Sequence, residues 1–170
     1  MIKLRPLKIT DAQFMLEWMH DEDIQKGFRK NMLGMTKENA ETFIGQAISD
    51  FSKVKDGGAV HYAISNELDE YLGTISLKNI SIVNNNAEFA IVLRKEYQGK
   101  GYAKEATTQL IEKAFHEFGL HKIYLSVLEN NLTAKKSYES SGFIYEGELK
   151  EHICINGKYE TLKLYGIINQ

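Results

Sequence analysis

The chain has 170 residues, of which 43% are hydrophobic and 26% are charged, a composition typical of a globular protein and not of a disordered one. A chain of this length buries roughly 70% of its unfolded surface. We therefore expect one domain, residues 1–170, that folds without a disulfide or a structural metal. Lys and Arg number 21 against 23 Asp and Glu, a net charge of −2, which argues against a nucleic-acid partner or an anionic membrane.

Three features bear on location and on metals. The longest apolar run is five residues, Phe89 to Leu93, whereas a transmembrane helix needs roughly 20. The N-terminus alternates charged and apolar residues and lacks the pattern of a signal peptide, so we expect a cytoplasmic protein. Cys154 is the only cysteine and is interpreted as a structural thiol. No Cys/His cluster has the spacing of zinc ligands, so no metal is predicted.

The first third of the chain predicts one strand and two helices. An alternating segment around Pro6 predicts the strand, and Thr10 with Gln13 predicts a capping box for the first helix, which ends in the polar stretch 20–23. Thr36 is placed to cap the second helix. The apolar residues at helical spacing in the second helix are Ala40, Phe43, Ile44, Ala47, Ile48 and Phe51.

The middle of the chain changes from alternation to a helical period. Alternation predicts strands at 60–64, 72–80 and 86–94, which are expected to be antiparallel neighbours. A helix is predicted over 103–118 and a further strand over 122–128. A strand, a helix of this length and a strand form a crossover unit, which predicts that strands 86–94 and 122–128 run parallel.

The last third predicts a short helix and a hairpin. The helix covers about 133–141 and is closed by Gly142, and two strands flank the Asn156-Gly157 turn. The predicted class is α+β.

A glycine-rich loop, Gln98-Gly99-Lys100-Gly101-Tyr102-Ala103, precedes the long helix. Two glycines let the backbone approach a ligand, and the free amides of a first helical turn favour phosphate oxygens. The loop does not match a Walker motif, because Gly101 stands where Ser or Thr belongs. It does not match a dinucleotide fingerprint either, because Lys104 replaces the third glycine. We therefore predict an anion-binding loop of another kind.

Two motifs resemble those of the GNAT superfamily of N-acetyltransferases. The first is Gln or Arg, two residues, Gly, one residue, then Gly or Ala, and it is matched by Gln98, Gly101 and Ala103. The second lies downstream at the expected distance and is matched by Asn131, Ala134, Tyr138, Gly142 and Phe143.

This resemblance implies a fold and a cofactor. The fold is a central mixed, mostly antiparallel sheet, flanked by helices and splayed at its parallel strand pair, with acetyl-CoA in the gap and no metal. It implies that the backbone of Ile91, Val92 and Leu93 pairs with the pantetheine arm, and that Asn131 holds the arm from the other side. The pyrophosphate would contact the amides of Gln98, Gly99, Lys100, Gly101, Tyr102 and Ala103.

The resemblance also implies the chemistry. Tyr138 would be the general acid that protonates the departing thiolate, although a Tyr at helical spacing also fits a core aromatic. An amine acceptor with a pKa of about 10.4 is deprotonated in roughly one molecule in 2,500 at pH 7, so a base is expected. Glu88 is the candidate, since it interrupts an apolar strand whose burial would raise a carboxyl pKa. A solvated carboxylate is the alternative, and His20 or His61 are further candidates to relay protons.

Several acceptors remain open. Glu146-Gly147-Glu148-Leu149 and Ile155 to Tyr159 resemble the branch of spermidine and ribosomal-protein N-terminal acetyltransferases, whereas Gly73 to Leu77 resembles amino-sugar-nucleotide acetyltransferases. Many members of the branch of spermidine and ribosomal-protein N-terminal acetyltransferases have Asp where this chain has Thr161.

The segment 20–35 is expected to border the acceptor pocket. Asp21, Glu22 and Asp23 suit a polyamine, whereas Arg29 and Lys30 suit a diphosphate. We predict a small-molecule primary amine as acceptor and no nucleic-acid partner. The alternatives are a protein N-terminus, or a non-catalytic acyl-CoA-binding regulatory protein. The sequence leaves the oligomeric state open, and a homo-oligomer is one of the candidates.

Overall fold

A seven-stranded mixed sheet forms the centre of the protein, seen in a computed structural model that describes residues 1–51 and 54–170. Its strands are β1 (Lys3–Pro6), β2 (Val60–Ser65), β3 (Tyr71–Ser81), β4 (Asn86–Leu93), β5 (Lys122–Leu128), β6 (Ile144–Ile155) and β7 (Lys158–Ile168). They lie side by side in the order β1-β2-β3-β4-β5-β7-β6. Among these strands of the described residues, the β4–β5 pair alone is parallel. This confirms the predicted α+β class and the predicted parallel pair.

Five α-helices lie around the sheet in the ranges that the structure describes, 1–51 and 54–170. They are α1 (Ala12–Met19), α2 (Glu22–Gln25), α3 (Lys37–Asp50), α4 (Tyr102–Glu112) and α5 (Leu132–Ser140). A π-helical turn at Lys113–Glu117 extends α4 towards Gly119, which has a positive φ of 66° and ends the helix as predicted. In the part of the chain described, no helix combines the length and apolar character needed to cross a membrane.

Two hydrophobic clusters hold β4 from both sides. Phe89 and Leu93 belong to a cluster that includes Leu110 of α4. Val92 packs against the other cluster, which includes Met15 of α1 and Ile44 of α3. Burying a side chain of this kind stabilises the fold by about 1.5–3 kcal/mol. The alternation of β4 therefore fixes which of its side chains face α4 and which face α1 and α3.

The two predicted helix starts have different outcomes. The Thr36 cap of α3 is confirmed, since Thr36 Oγ1 accepts the Asn39 amide at 3.1 Å and Asn39 Oδ1 accepts the Thr36 amide at 2.9 Å. The Thr10 capping box is wrong. A 3-10 turn, Ile9–Asp11, precedes α1 instead, and the Asp11 carboxylate at its third position accepts the Lys8 amide at 2.8 Å and two guanidinium nitrogens of Arg5, each at 2.9 Å. The physical reason is that a nearly buried guanidinium requires a carboxylate beside it.

Two further features differ from the sequence analysis. The short helix α2 was not predicted, because a single turn carries no hydrophobic period; it begins where the Asp21 carboxylate accepts the amides of Asp23 and Ile24. Cys154 lies exposed on β6, so its thiol is not part of the core and the interpretation as a structural thiol is wrong.

Candidate active site

The parallel strand pair separates soon after it forms. β4 and β5 pair at three positions, the last of which joins Glu88 to Tyr124. Beyond it β4 stays paired with β3 as far as Leu93, and β5 stays paired with β7 as far as Leu128. The two strands thus diverge and leave a wedge-shaped gap, as the resemblance implied. Ile91, Val92 and Leu93 lie along the unpaired edge of β4.

An unpaired strand edge is a binding surface for an extended amide chain. Backbone N–H and C=O groups that point away from β3 have no strand to pair with between Phe89 and Leu93. The side chain of Gln98 reaches back to this edge, where its Nε2 donates to the Leu93 carbonyl at 3.1 Å. Gln98 therefore ties the glycine-rich loop to the end of β4.

The glycine-rich loop has the backbone shape of an anion-binding site. Gly99 and Gly101 have positive φ angles of 71° and 85°, which disfavour any other residue, and a Cβ at either position would meet no atom within 4 Å. The first intrahelical hydrogen bond of α4 runs from the Glu105 amide to the Gly101 carbonyl at 3.2 Å. The amides of 102–104 precede it and are free to bind an anion. These features fit a pyrophosphate.

Tyr138 projects from α5 into the aromatic packing beside β4. Its ring centroid lies 6.0 Å from that of Phe89 and 6.0 Å from that of Phe143. Burial raises the pKa of Tyr138 to about 12. Within residues 1–51 and 54–170 its hydroxyl has no hydrogen-bond partner. The phenol therefore keeps its proton at neutral pH and can donate it.

Asn131 caps the helix that carries Tyr138. Its Oδ1 accepts the Ala134 amide at 3.2 Å, so this side chain helps to fix the start of α5. A Cβ built on Gly27 would lie 3.3 Å from Asn131 Nδ2, which places the segment after α2 directly over this cap. With Oδ1 bonded to the helix, the Nδ2 group of Asn131 is the part of this side chain that can donate a hydrogen bond to a ligand.

Glu88 faces the opposite side of β4 from Phe89, as the alternation predicted. Its side chain is 14% exposed. Glu88 Oε2 accepts Asn79 Nδ2 at 2.6 Å, and Glu88 Oε1 lies 3.6 Å from Arg29 Nη2. Asn79 reaches Glu88 because it sits at a bulge in β3 with a positive φ of 46°. Burial, and then the Glu88 charge, raise the pKa of the neighbouring Tyr124.

The two histidines weighed as proton relays are bonded elsewhere. His61 Nδ1 lies 2.6 Å from Ser76 Oγ, and burial lowers the pKa of His61 to about 4, so its ring is neutral at pH 7. His20 Nε2 lies 2.6 Å from the Met35 carbonyl. Neither ring is hydrogen-bonded to Glu88.

The acidic stretch that follows α1 is already ion-paired. Lys95 Nζ lies 3.7 Å from Asp21 Oδ2 and 3.2 Å from Asp23 Oδ2, and Lys26 Nζ lies 3.1 Å from Asp23 Oδ1. Hydrogen bonds from Lys26 and Lys95 lower the pKa of Asp23. These contacts hold the segment beside the end of β4. Thr161 Oγ1 accepts the Glu151 amide at 3.1 Å, so it supports the β6 bulge.

Sequence reasoning did not identify the groups around Glu88. Asn79 and Ser126 reach the wedge from neighbouring strands, and Arg29 was considered only as a ligand for a diphosphate. The sequence offered one signal for these groups, namely polar residues at strand positions whose neighbours are apolar. Among the residues that the structure describes, no group of three or more His, Cys, Asp or Glu side chains is arranged to hold a metal ion.

The comparisons with known proteins agree with this geometry. A family model described as an acetyltransferase (GNAT) domain matches residues 2–144. The spermidine N(1)-acetyltransferase of Escherichia coli K12 is 32% identical over 161 residues, 94% of this chain and 82% of that protein. The same-named protein of Vibrio cholerae is 34% identical over 110 residues, 65% of this chain and 64% of that protein, so the match spans less than two thirds of its length.

A solved structure shows the same fold. The crystal structure of the Vibrio cholerae spermidine N-acetyltransferase in complex with CoA and spermine has a TM-score of 0.86 and 28% sequence identity, and the match covers 98% of this chain and 95% of that one. The sheet that splays at its parallel pair, the glycine-rich loop and the family match together lead to one conclusion. The chain belongs to the GNAT family of acetyltransferases.

Proposed function

We propose that the protein transfers the acetyl group of acetyl-CoA to a primary amine of a polyamine. The observation that carries the proposal is the wedge between β4 and β5, which has Tyr138 beside one face of β4 and Glu88 on the other. The relatives named as spermidine acetyltransferases, and the related crystal structure with CoA and spermine, support a polyamine as the acceptor class.

The cofactor side of the wedge is built largely from backbone. The edge formed by Ile91, Val92 and Leu93 would bind the pantetheine arm as an added strand, and Asn131 Nδ2 would donate to the arm from across the wedge. Of the amides of 98–103, that of Gln98 already donates to the Lys95 carbonyl at 3.2 Å, so those of 99–103 would bind the pyrophosphate, with Lys100 adding a positive charge. Acetyl-CoA supplies an activated thioester at this position.

Proton transfer involves one residue on each face of β4. Glu88 takes the proton of the acceptor ammonium. The pKa of this group, about 10.4, lies about 3.4 units above pH 7, so its deprotonation without a base costs roughly 4.6 kcal/mol. The amine nitrogen then bonds to the acetyl carbon as the carbon–sulfur bond breaks. Tyr138, whose phenol is protonated at neutral pH, would give its proton to the departing sulfur. The second proton of the amine nitrogen, which the amide product does not keep, would then return to the Tyr138 oxygen, so that the products are the amide, the thiol and one proton on Glu88.

The charges around Glu88 favour a cationic acceptor over an anionic one. An amino-sugar nucleotide would draw on Arg29 and Lys30 for its diphosphate, but the Arg29 guanidinium is already held by Glu88 and Ser126. A carboxylate that is only 14% exposed is a better partner for an ammonium group.

The test is release of the coenzyme A thiol with a panel of acceptors. The Cys154→Ser variant is used because an exposed thiol would react with the detection reagent. We expect turnover with spermidine and spermine. Turnover confined to N-terminal peptides or to amino-sugar nucleotides would overturn the polyamine proposal. No turnover, together with a rise in melting temperature on adding acetyl-CoA, would favour the regulatory alternative.

Three broader predictions belong to the same proposal. We infer that residues 1–170 act as one N-acetyltransferase domain, that the protein works in the cytoplasm, and that it is able to form homo-oligomers. Fractionation and light scattering would test the last two.

A further inference from the structure

A cation of the protein itself occupies the acceptor side of the wedge. Arg29 lies between α2 and α3, and its Nη2 lies 3.6 Å from Glu88 Oε1 of β4 and 3.4 Å from the Ser126 carbonyl of β5. The same nitrogen donates to Ser126 Oγ. Ser126 is two residues beyond Tyr124, the last residue of β5 that pairs with β4. One guanidinium therefore bridges the two strands where they have just separated.

This contact places the Arg29 charge beside the one Glu88 oxygen that Asn79 does not hold. Glu88 Oε2 is taken by Asn79 Nδ2 at 2.6 Å, and Glu88 Oε1 faces Arg29. An acceptor amine that gives its proton to Glu88 must come within hydrogen-bond reach of one of these oxygens. Since Asn79 is fixed by the β3 bulge and Arg29 is on a loop, Arg29 is the group that has to move.

The Arg29 guanidinium can compete with another cation for the Glu88 carboxylate but cannot itself take part in the reaction. A guanidinium stays protonated at every physiological pH, so it neither becomes a nucleophile nor relieves Glu88 of its charge. Its side chain is 44% exposed, and ion pairs of such exposure are weak enough to be exchanged. The ligand that replaces it must itself be a cation, because otherwise Glu88 would lose its partner.

We propose that Arg29 is a specificity-determining residue of the acceptor site, where its guanidinium competes with the acceptor ammonium for the Glu88 carboxylate. The inference rests on the proposed function, in which Glu88 receives the acceptor proton. Arg29 raises the KM for cationic amines and leaves the chemical step unchanged once it has been displaced. Loss of its charge therefore strengthens acceptor binding, which is the reverse of what a residue that binds an anionic acceptor would do.

The test is the KM and kcat for spermidine of Arg29→Gln at saturating acetyl-CoA. An exposed ion pair of this kind corresponds to a change of about two- to fivefold in binding. We expect the KM to fall by that factor with kcat unchanged within about twofold. Arg29→Lys keeps the charge and should return the KM toward the wild-type value. Lys37→Gln removes the same formal charge from an exposed helix start and should leave both constants unchanged.

A second readout separates this inference from the proposed function. The rise in melting temperature caused by spermidine should be larger in Arg29→Gln than in the wild type, whether or not turnover occurs. Wild-type turnover with an unchanged or raised KM in Arg29→Gln would overturn the role of Arg29 alone. Absence of turnover would overturn the proposed function, while the thermal comparison would still decide the competition. No spermidine effect of either kind would overturn both.

Discussion

The two sides of the wedge are built from different parts of the chain. The proposed cofactor side consists of backbone groups on β4 and the glycine-rich loop, fixed by the cluster that includes Phe89 and Leu110. The proposed acceptor side consists of charged side chains such as Arg29, on a segment whose regular structure is one short helix. A site made of backbone groups depends on the path of the main chain. A site made of charged side chains depends on which of those charges form ion pairs with each other.

This difference bears on how each side can change. A binding site made of amides tolerates many side-chain substitutions provided that the loop keeps its shape, because the amide dipoles stay in place. A binding site made of exposed ion pairs changes its preference when a single charge is exchanged, since each pair contributes little. The following four predictions test this contrast, from the largest expected effect to the smallest.

The largest effect is expected for Tyr138→Phe. Removing the general acid should lower kcat on the order of 100-fold, with the KM for acetyl-CoA nearly unchanged. The melting temperature should stay the same, because the hydroxyl has no partner in the described part of the chain. Tyr159→Phe, at a tyrosine 65% exposed on β7, is the control and should be fully active. Full activity of Tyr138→Phe would remove this residue from the chemistry.

Glu88→Gln should have the next largest effect. Gln keeps the hydrogen bond to Asn79 in size and position but cannot take a proton, so kcat/KM at neutral pH should fall by about 10- to 100-fold. Raising the pH should restore part of the loss, because more of the acceptor is already deprotonated. Glu67→Gln alters a carboxylate whose side chain is 78% exposed and should behave as the wild type. Equal loss at every pH would argue for a positioning role.

Gly101→Ala tests the backbone site. The left-handed φ of 85° should cost a non-glycine residue about 1–2 kcal/mol, so we expect the KM for acetyl-CoA to rise about five- to 30-fold as the loop changes shape. The KM for spermidine should change little. Gly45→Ala, in the middle of α3 with no atom near the added methyl group, is the matched control and should leave both KM values unchanged. An equal rise in both values would break the distinction between the two sides.

The smallest effect is expected from alkaline pH on the wild-type rate. The pKa of Tyr138 is raised to about 12, so its protonated form persists past the range near pH 10 in which an ordinary tyrosine ionises. Its acid function should therefore be lost only as the pH approaches 12. We expect less than a twofold fall in kcat between about pH 8 and 10. A clear fall near pH 10, absent in Tyr138→Phe, would contradict the buried position of this phenol.

The cofactor side was largely predictable from the sequence. The spacing of Gln98, Gly101 and Ala103 predicts a glycine loop at a helix start, and the alternation of β4 predicts that Glu88 faces away from Phe89. Both patterns are local, because backbone conformation and the period of a strand depend on near neighbours in the chain. The roles of the individual cofactor contacts stay predictions.

The acceptor side was not predictable in the same way. Arg29 and Glu88 are 59 residues apart and meet only because the segment after α2 lies over the wedge. The Asn79 contact depends on a bulge in β3 that leaves no clear mark in the sequence. The wrong expectation for Thr10 has a similar origin, since the Arg5 guanidinium holds the Asp11 carboxylate at the turn before α1.

Apart from the one-turn helix α2, the sequence by itself determined the succession of strands and helices along the chain, together with the glycine-rich loop and the family, because these follow from local periodicity and from motifs at fixed spacing. Only the tertiary structure decided which charges meet at the wedge, how far β4 and β5 stay paired and which side chain lies on Glu88. The reason is that ion pairs and strand separations join residues distant in the chain, and a one-dimensional pattern carries no information about such distances.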